Sequence, residues 1–199
     1  MKFLFPFFAL FCIIFTSLLK NNTRDKEKSQ QEFWERERIA NLTRKKDISN
    51  LDYITIPTEK LPFLKNPSEK ISDYEERILK LAKCRILNLN GISNTDLKLS
   101  YGVANLPELT QYDQNYLELT TLLGKWSQAL LDEGYTDEAK TVLECAVSCG
   151  CDSSSIYVNL ASIYMKEDPQ RINELIDKIS SSGSPMKNII IHKLQDLIT

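Results

Sequence analysis

The sequence predicts an all-α protein, and three observations lead to that class. Apolar residues recur at spacings of three and four through residues 68–199, which is the spacing of one helix face. No strand-like alternation of any length follows residue 60. An unbroken run of 17 apolar or small uncharged residues, Phe3 to Leu19, suits one apolar helix. The formal net charge of −2 supplies no global basic field, which argues against a nucleic-acid partner.

The run 3–19 predicts a transmembrane helix. Seventeen helical residues span about 25 Å, and flanking Lys2 and Lys20 can reach the headgroups of a bilayer with a ~30 Å core. The small-residue pair that signal cleavage requires is missing around residues 15–19. We therefore expect an uncleaved single-pass anchor. A cleaved signal peptide and a soluble apolar arm are the alternatives.

Residues 20–46 predict a basic stalk helix. They hold nine Lys or Arg and five Asp or Glu, whereas Lys2 is the single basic side chain that precedes the apolar run. Because Lys and Arg accumulate on the cytoplasmic side of a span, the soluble domain is expected in the cytoplasm. Phe33, Trp34 and Ile39 can form an apolar stripe on the stalk. Two interpretations of residues 20–46 stay open: a helix that contacts lipid headgroups, and a charged helix that is solvated.

Residues 47–67 predict an extended connector. Pro57, Pro62 and Pro67 recur at short intervals, and proline at this density stops helices and favours extended chain. The apolar side chains of the connector are expected to pack onto the domain that follows. A docking strand for another protein is the functional alternative.

Residues 68–199 predict a helical domain. Its first helix is expected to open at Ser68 and to continue to Leu87, before a break that contains Gly91. A short helix follows, Leu106-Pro107 interrupts it, and a long helix is expected to start at Asp113. Further apolar helix faces lie at residues 172–179 and 189–197.

Residues 116–166 resemble a tetratricopeptide repeat (TPR) hairpin and the opening of a second one. The positions that carry the resemblance are Leu123, Trp126, Ser127, Leu130, Gly134, Ala139, Leu143 and Ala146. One 34-residue period later, the corresponding positions are Tyr157, Leu160, Ala161 and Tyr164. The second hairpin departs from the family pattern at Asp168-Pro169, where a glycine is expected, and at Asn173. A plain helical bundle is the alternative architecture.

The resemblance implies that the first helix of each hairpin lines a groove that binds a peptide or a partner helix. Carried over position by position, the implied partner-binding residues are Gln128, Leu131, Asp132, Ser162, Met165 and Lys166. The expected function is therefore a membrane-anchored adaptor or scaffold with a protein or peptide partner. No small-molecule substrate is evident.

Cys145, Cys149 and Cys151 form the pattern C-x3-C-x-C, and we expect them to be small buried core residues. The spacing matches neither the paired C-x2-C signature of structural zinc nor common iron–sulfur runs, although His192 or Cys84 can be considered as a fourth ligand. A metal- or thiol-dependent protein that uses this cluster is the alternative function.

The sequence shows few patterns of catalytic residues, and we expect neither enzymatic activity nor a cofactor. The single histidine, His192, lies among isoleucines near the C-terminus, where pairing with a helix-end group is expected rather than general-base work. Carboxylate pairs such as Glu75-Glu76 are adjacent in sequence. Adjacent residues diverge by about 100° on a helix, so such pairs do not share a site.

Overall fold

The computed structural model describes residue 15 and residues 28–198, and these residues form helices, loops and 3-10 turns without any strand. The all-α prediction is confirmed for this part of the chain. The helices are α1 at 28–42, α2 at Glu69–Leu81, α3 at Asn94–Tyr101, α4 at Leu106–Asp132, α5 at Thr136–Ser148, α6 at Ser154–Glu167, α7 at Arg171–Ser180 and α8 at Lys187–Ile198.

The chain divides into two compact units. Of the described residues, the smaller unit holds 28–46 and Ser93–Leu106, and the larger unit holds Asp47–Ile92 and 107–198.

The smaller unit is held together by polar contacts between α1 and α3. Glu37 on α1 accepts hydrogen bonds from Lys98 and from Thr95, the latter at 3.0 Å. The bond from Lys98, followed by that from Thr95, holds the pKa of Glu37 below its ordinary value. Buried Asn105 donates to the carbonyl oxygens of Lys46 at 2.8 Å and Tyr101 at 2.7 Å, so the chain after α1 is fastened to the end of α3.

At Gly102 the two segments of the smaller unit lie close together. Its φ is +89°, and a Cβ added there would overlap the carbonyl oxygen of Arg44. Only glycine combines that backbone angle with the absence of a side chain. On α1 itself, Phe33 is 52% exposed and Trp34 is 60% exposed, so the apolar residues of the predicted stripe face solvent.

The larger unit is built around α4. Gly134, with φ +85°, ends the turn after α4 and allows α5 to follow. Helix α5 packs against α6, α6 packs against α7 and α8, and α7 packs against α8. Trp126, Leu143 and Ile156 are fully buried where α4, α5 and α6 meet.

Helices α2 and α6 lie along α4. The Arg77 guanidinium of α2 lies 3.2 Å from the Glu118 carboxylate, and the Ser68 hydroxyl at the start of α2 donates to Glu133 at 2.7 Å. Because the start of α2 lies beside the end of α4, the two helices are antiparallel. A Cβ on Gly124 of α4 would lie 3.7 Å from the Ile156 side chain of α6. Four residues further along α4, Gln128 accepts from Asn159 of α6 at 3.0 Å, so α4 and α6 are parallel.

Helix α2 is shorter than expected. It ends at Leu81 rather than continuing to Leu87. The backbone beyond it bonds to other segments: Ile54 N–H donates to Ile86 O at 2.9 Å, and Leu87 N–H donates to Tyr112 O at 3.2 Å. The backbone groups of Ile86 and Leu87 therefore form tertiary hydrogen bonds instead of those of another helical turn.

Helix α4 is longer than expected, since it starts at Leu106 rather than at Asp113. Pro107 lies in its first turn, where the missing N–H would have had no intrahelical partner and the fixed φ suits a helix. The Leu106-Pro107 pair is thus a helix start rather than an interruption.

The predicted single-pass membrane localisation with a cytoplasmic domain is wrong, because no helix in the described part of the chain is both long enough and apolar enough to cross a bilayer. The longest, α4 at 27 residues, has the length but carries charged side chains along it, among them Glu118 and Lys125. Charges at bilayer depth are costly. The predicted anchor at 3–19 lies outside the described residues except for Phe15.

Gly102→Ala should destabilise the smaller unit by about 3 kcal/mol or more, because the methyl group meets Arg44 O while the backbone stays at positive φ. Gly91→Ala is the matched control: φ is +82° there, but nothing lies within 4 Å of the added Cβ, so a cost of about 1–2 kcal/mol is expected. Hydrogen exchange of the amides at 93–106 measures the destabilisation by Gly102→Ala, and exchange of the amides around Gly91 measures that by Gly91→Ala. Equal losses of protection would contradict the close approach.

Glu75 gives the larger unit a pH-dependent contribution to stability. It is buried and accepts a hydrogen bond from Leu64 N–H at 3.0 Å, and burial raises its pKa above the ordinary 4.5. The contribution is therefore full below 4.5 and is lost as pH rises through the folded-state pKa. Glu75→Gln keeps the acceptor and does not ionise, so its free energy of unfolding should rise relative to the parent between about pH 4 and about pH 7.

Urea unfolding at both pH values measures that difference. Leu79→Gln, at an exposed position one turn further along α2, adds and removes no ionisable group, so it is the control and its offset should be the same at both pH values. A Glu75→Gln offset that is the same at both pH values would contradict the assignment.

Candidate functional site

The implied partner-binding residues lie on the parallel helices α4 and α6. Gln128, Asp132, Ser162, Met165 and Lys166 are exposed. Leu131, the remaining member of the set, is half-buried and packs against the core. We call the five exposed residues the α4/α6 face.

A row of polar contacts joins the α4 part of this face to both neighbouring helices. Gln128 donates to Asp132 at 2.8 Å and accepts from Asn159 of α6 at 3.0 Å. Asp132 also lies 3.8 Å from the ammonium of Lys70 on α2. The row therefore runs across three helices, from Lys70 to Asn159.

The sequence reasoning missed Lys70 and Asn159. A signal for Asn159 is present, because residues 159, 162 and 166 are three and four apart and therefore share one face of α6. Lys70 gives no such signal, since its contact joins residues 62 positions apart and depends on how α2 lies against α4.

The α6 part of the face is less polar. Met165 is 39% exposed, and its flexible thioether side chain can adapt to differently shaped apolar groups. Ser162 donates to Val158 O at 2.8 Å within its own helix. The α6 part of the face thus offers an apolar side chain at Met165 and a basic one at Lys166.

A second polar network lies between α5, α6 and α7. Tyr164 donates to Glu144 at 2.8 Å, and Arg171 donates to the same carboxylate oxygen at 3.1 Å. The Arg171 guanidinium also lies 4.1 Å from the centre of the Tyr164 ring. Burial, followed by the hydrogen bond to Glu144, raises the pKa of Tyr164, so its hydroxyl is held as a donor. These groups border a small cavity of about 180 Å³ and fasten α7 to α5.

The three clustered cysteines are buried, which confirms the prediction that they are small core residues. All three are free thiols. In residues 28–198, no group of three or more His, Cys, Asp or Glu side chains is placed to hold a metal ion. His192 lies 2.8 Å from Asp196 one turn further along α8, which is a local pairing of the expected kind.

Cys149 differs from the other two clustered cysteines in that it borders a cleft. It borders a cleft of about 470 Å³ whose other walls are the connector at 52–57, Leu87-Asn88 and the neighbouring residues Ser148 and Gly150. No pattern in the sequence points to this cleft, because its walls come from three separate segments of the chain.

Comparisons of this chain with protein-family models, with curated proteins and with solved structures find no match.

Proposed function

We propose that this protein is a TPR-like interaction module that acts as an adaptor or scaffold and binds a protein or peptide through the α4/α6 face. The observation that carries the proposal is the parallel placement of α4 and α6. Their contacts join Gly124 to Ile156 and Gln128 to Asn159, which are 32 and 31 residues apart, close to one 34-residue repeat.

The burial pattern supports the repeat assignment. Gly134 adopts the positive φ that a repeat turn uses, and Ala139 and Ala146 are fully buried where neighbouring helices approach closely. In α6, Tyr157 and Ala161 lie one 34-residue period after Leu123 and Ser127 of α4, and all four residues are buried. The small buried residues thus support the repeat assignment for α4 to α6, whereas α7 has Asn173 where the family pattern has a small residue.

The chemistry of the face supports a peptide partner. The exposed groups of this face include a carboxylate, a thioether and an ammonium, and contact areas of this mixed kind are typical of non-obligate binding surfaces. Asp132 and Lys166 supply opposite charges on neighbouring helices, so a bound segment can be oriented by its own charges. Met165 offers an exposed apolar contact on the same face.

Site-specific photocrosslinking tests the surface directly. A photoreactive amino acid at Ser162 or Met165 should yield a crosslinked protein adduct in cells, because both side chains are exposed on the proposed face. Asn173 is the matched control, since it is exposed on α7 outside that face. Equal adduct yields from Met165 and Asn173 would contradict the assignment of the α4/α6 face as the binding surface.

A charge variant then tests affinity for the protein identified in the adduct. Met165→Glu with Lys166→Glu should weaken binding at least about tenfold, a loss of about 1.4 kcal/mol. Stability should stay within about 0.5 kcal/mol, because both side chains are exposed. Lys83→Glu reverses one charge at an exposed position beyond α2 and should bind normally. Unchanged binding by the double variant contradicts the proposed face.

A further inference from the structure

The end of α5 brings two cysteine thiols together. Cys149 follows Ser148, the last residue of the helix, and its N–H donates to Cys145 O at 2.9 Å. The two residues are therefore one helical turn apart on the same face. Both side chains are buried.

The cleft gives one of these thiols contact with solutes. Cys145 and Cys149 are similarly exposed, at 8% and 7%, but of the three clustered cysteines Cys149 alone borders the 470 Å³ cleft. A water molecule occupies about 30 Å³ of liquid, so the cleft can admit a molecule of a few heavy atoms. A small oxidant entering the cleft therefore meets Cys149 first.

The groups around the three thiols shift their pKa values in different directions. The neighbouring Cys145 thiol is the main cause that lowers the pKa of Cys149 against its burial, and the charge of Lys178 acts in the same direction. The neighbouring Cys149 thiol and burial raise the pKa of Cys145. Burial raises the pKa of Cys151 to about 12. Of the three thiols, Cys149 is therefore the most readily ionised, and Cys145 retains its proton more readily than Cys149.

We propose that Cys149 and Cys145 are a hydroperoxide-oxidised thiol pair, in which Cys149 reacts first and Cys145 resolves the product as a disulfide. In the first step the Cys149 thiolate attacks one oxygen of the hydroperoxide. An S–O bond forms, the O–O bond breaks, and the leaving oxygen departs as hydroxide or alkoxide, which takes up a proton. The sulfur is oxidised to sulfenic acid while the peroxide is reduced.

In the second step Cys145 attacks the sulfenic sulfur. The S–S bond forms, the S–O bond breaks, and the hydroxyl group leaves as water with the proton of Cys145. Two thiols and one hydroperoxide thus yield one disulfide, one water and one water or alcohol.

The position of the pair at a helix end makes closure feasible. Helical residues four apart have Cα atoms about 6 Å apart, within the 4.4–6.8 Å range for disulfides. Their Cβ atoms are about 5–6 Å apart, however, and a disulfide needs about 3.5–4.5 Å, so the end of the helix must shift. Cys149 lies beyond the last helical residue and is followed by Gly150 with φ +75°, so the shift can stay local.

Oxidation should consequently disturb contacts at the same helix end. Tyr116 donates to Gly150 O at 2.7 Å, and Cys151 N–H donates to Ala146 O at 3.0 Å. Both bonds depend on the position of the segment that must move. The cleft wall at Ser148 and Gly150 changes with it.

Peptide mass spectrometry of the full chain tests the pair. The reduced protein is treated with hydrogen peroxide in slight excess, the remaining thiols are alkylated, and the chain is digested. We expect a cross-linked peptide that has lost two hydrogens and joins Cys145 to Cys149, with Cys151 alkylated. Cys145→Ala should halt at a sulfenic acid on Cys149 that a 1,3-diketone traps, and Cys149→Ala should lose the cross-link completely.

Cys84 provides the internal control. It is an exposed free thiol that donates to Lys80 O at 3.8 Å. Cys12→Ser with Cys84→Ser leaves the three clustered thiols and should give the same cross-link. Trapping of Cys84 before Cys149 in the parent chain would overturn the proposal, as would a parent cross-link from Cys149 to Cys151. The parent chain alone decides both outcomes, so they do not depend on the folding of any variant.

Discussion

The larger unit depends on the burial of one face of α4. Trp126 and Tyr116 are fully buried on that face, and truncating a buried aromatic side chain typically costs about 3–5 kcal/mol. The helix has 27 residues and is about 40 Å long, so α2 and α6 can both lie along it. The proposed partner-binding face exists because α4 holds α6 parallel to itself while its outer residues stay exposed.

The same helix also fixes the position of non-helical segments. Asn115 donates to Arg85 O at 2.8 Å, in the segment between α2 and α3, and Tyr116 donates to Gly150 O beyond α5. Each bond satisfies a carbonyl group that no helix pairs. Segments distant in sequence are thereby brought to the cleft beside Cys149, and the reactivity proposed for that thiol follows from the packing around α4.

The candidate site was partly predictable. Helical spacing is enough to place Gln128 and Asp132 on one surface of α4, and Ser162 and Lys166 on one surface of α6, because positions three or four apart share a face. The burial of the cysteines was predictable too, since small apolar-compatible residues between helices are usually buried. Lys70 was not, because its contact with Asp132 depends on how α2 packs against α4.

The sequence by itself determined the helical class and the residues that face the core, because both follow from the spacing of apolar side chains along the chain. It also determined the turn at Gly134, where glycine can take positive φ. Only the tertiary structure decided that α2 stops at Leu81 and that Cys149 reaches a cleft. Both depend on where segments distant in sequence offer hydrogen bonds or leave space, and no local pattern records that.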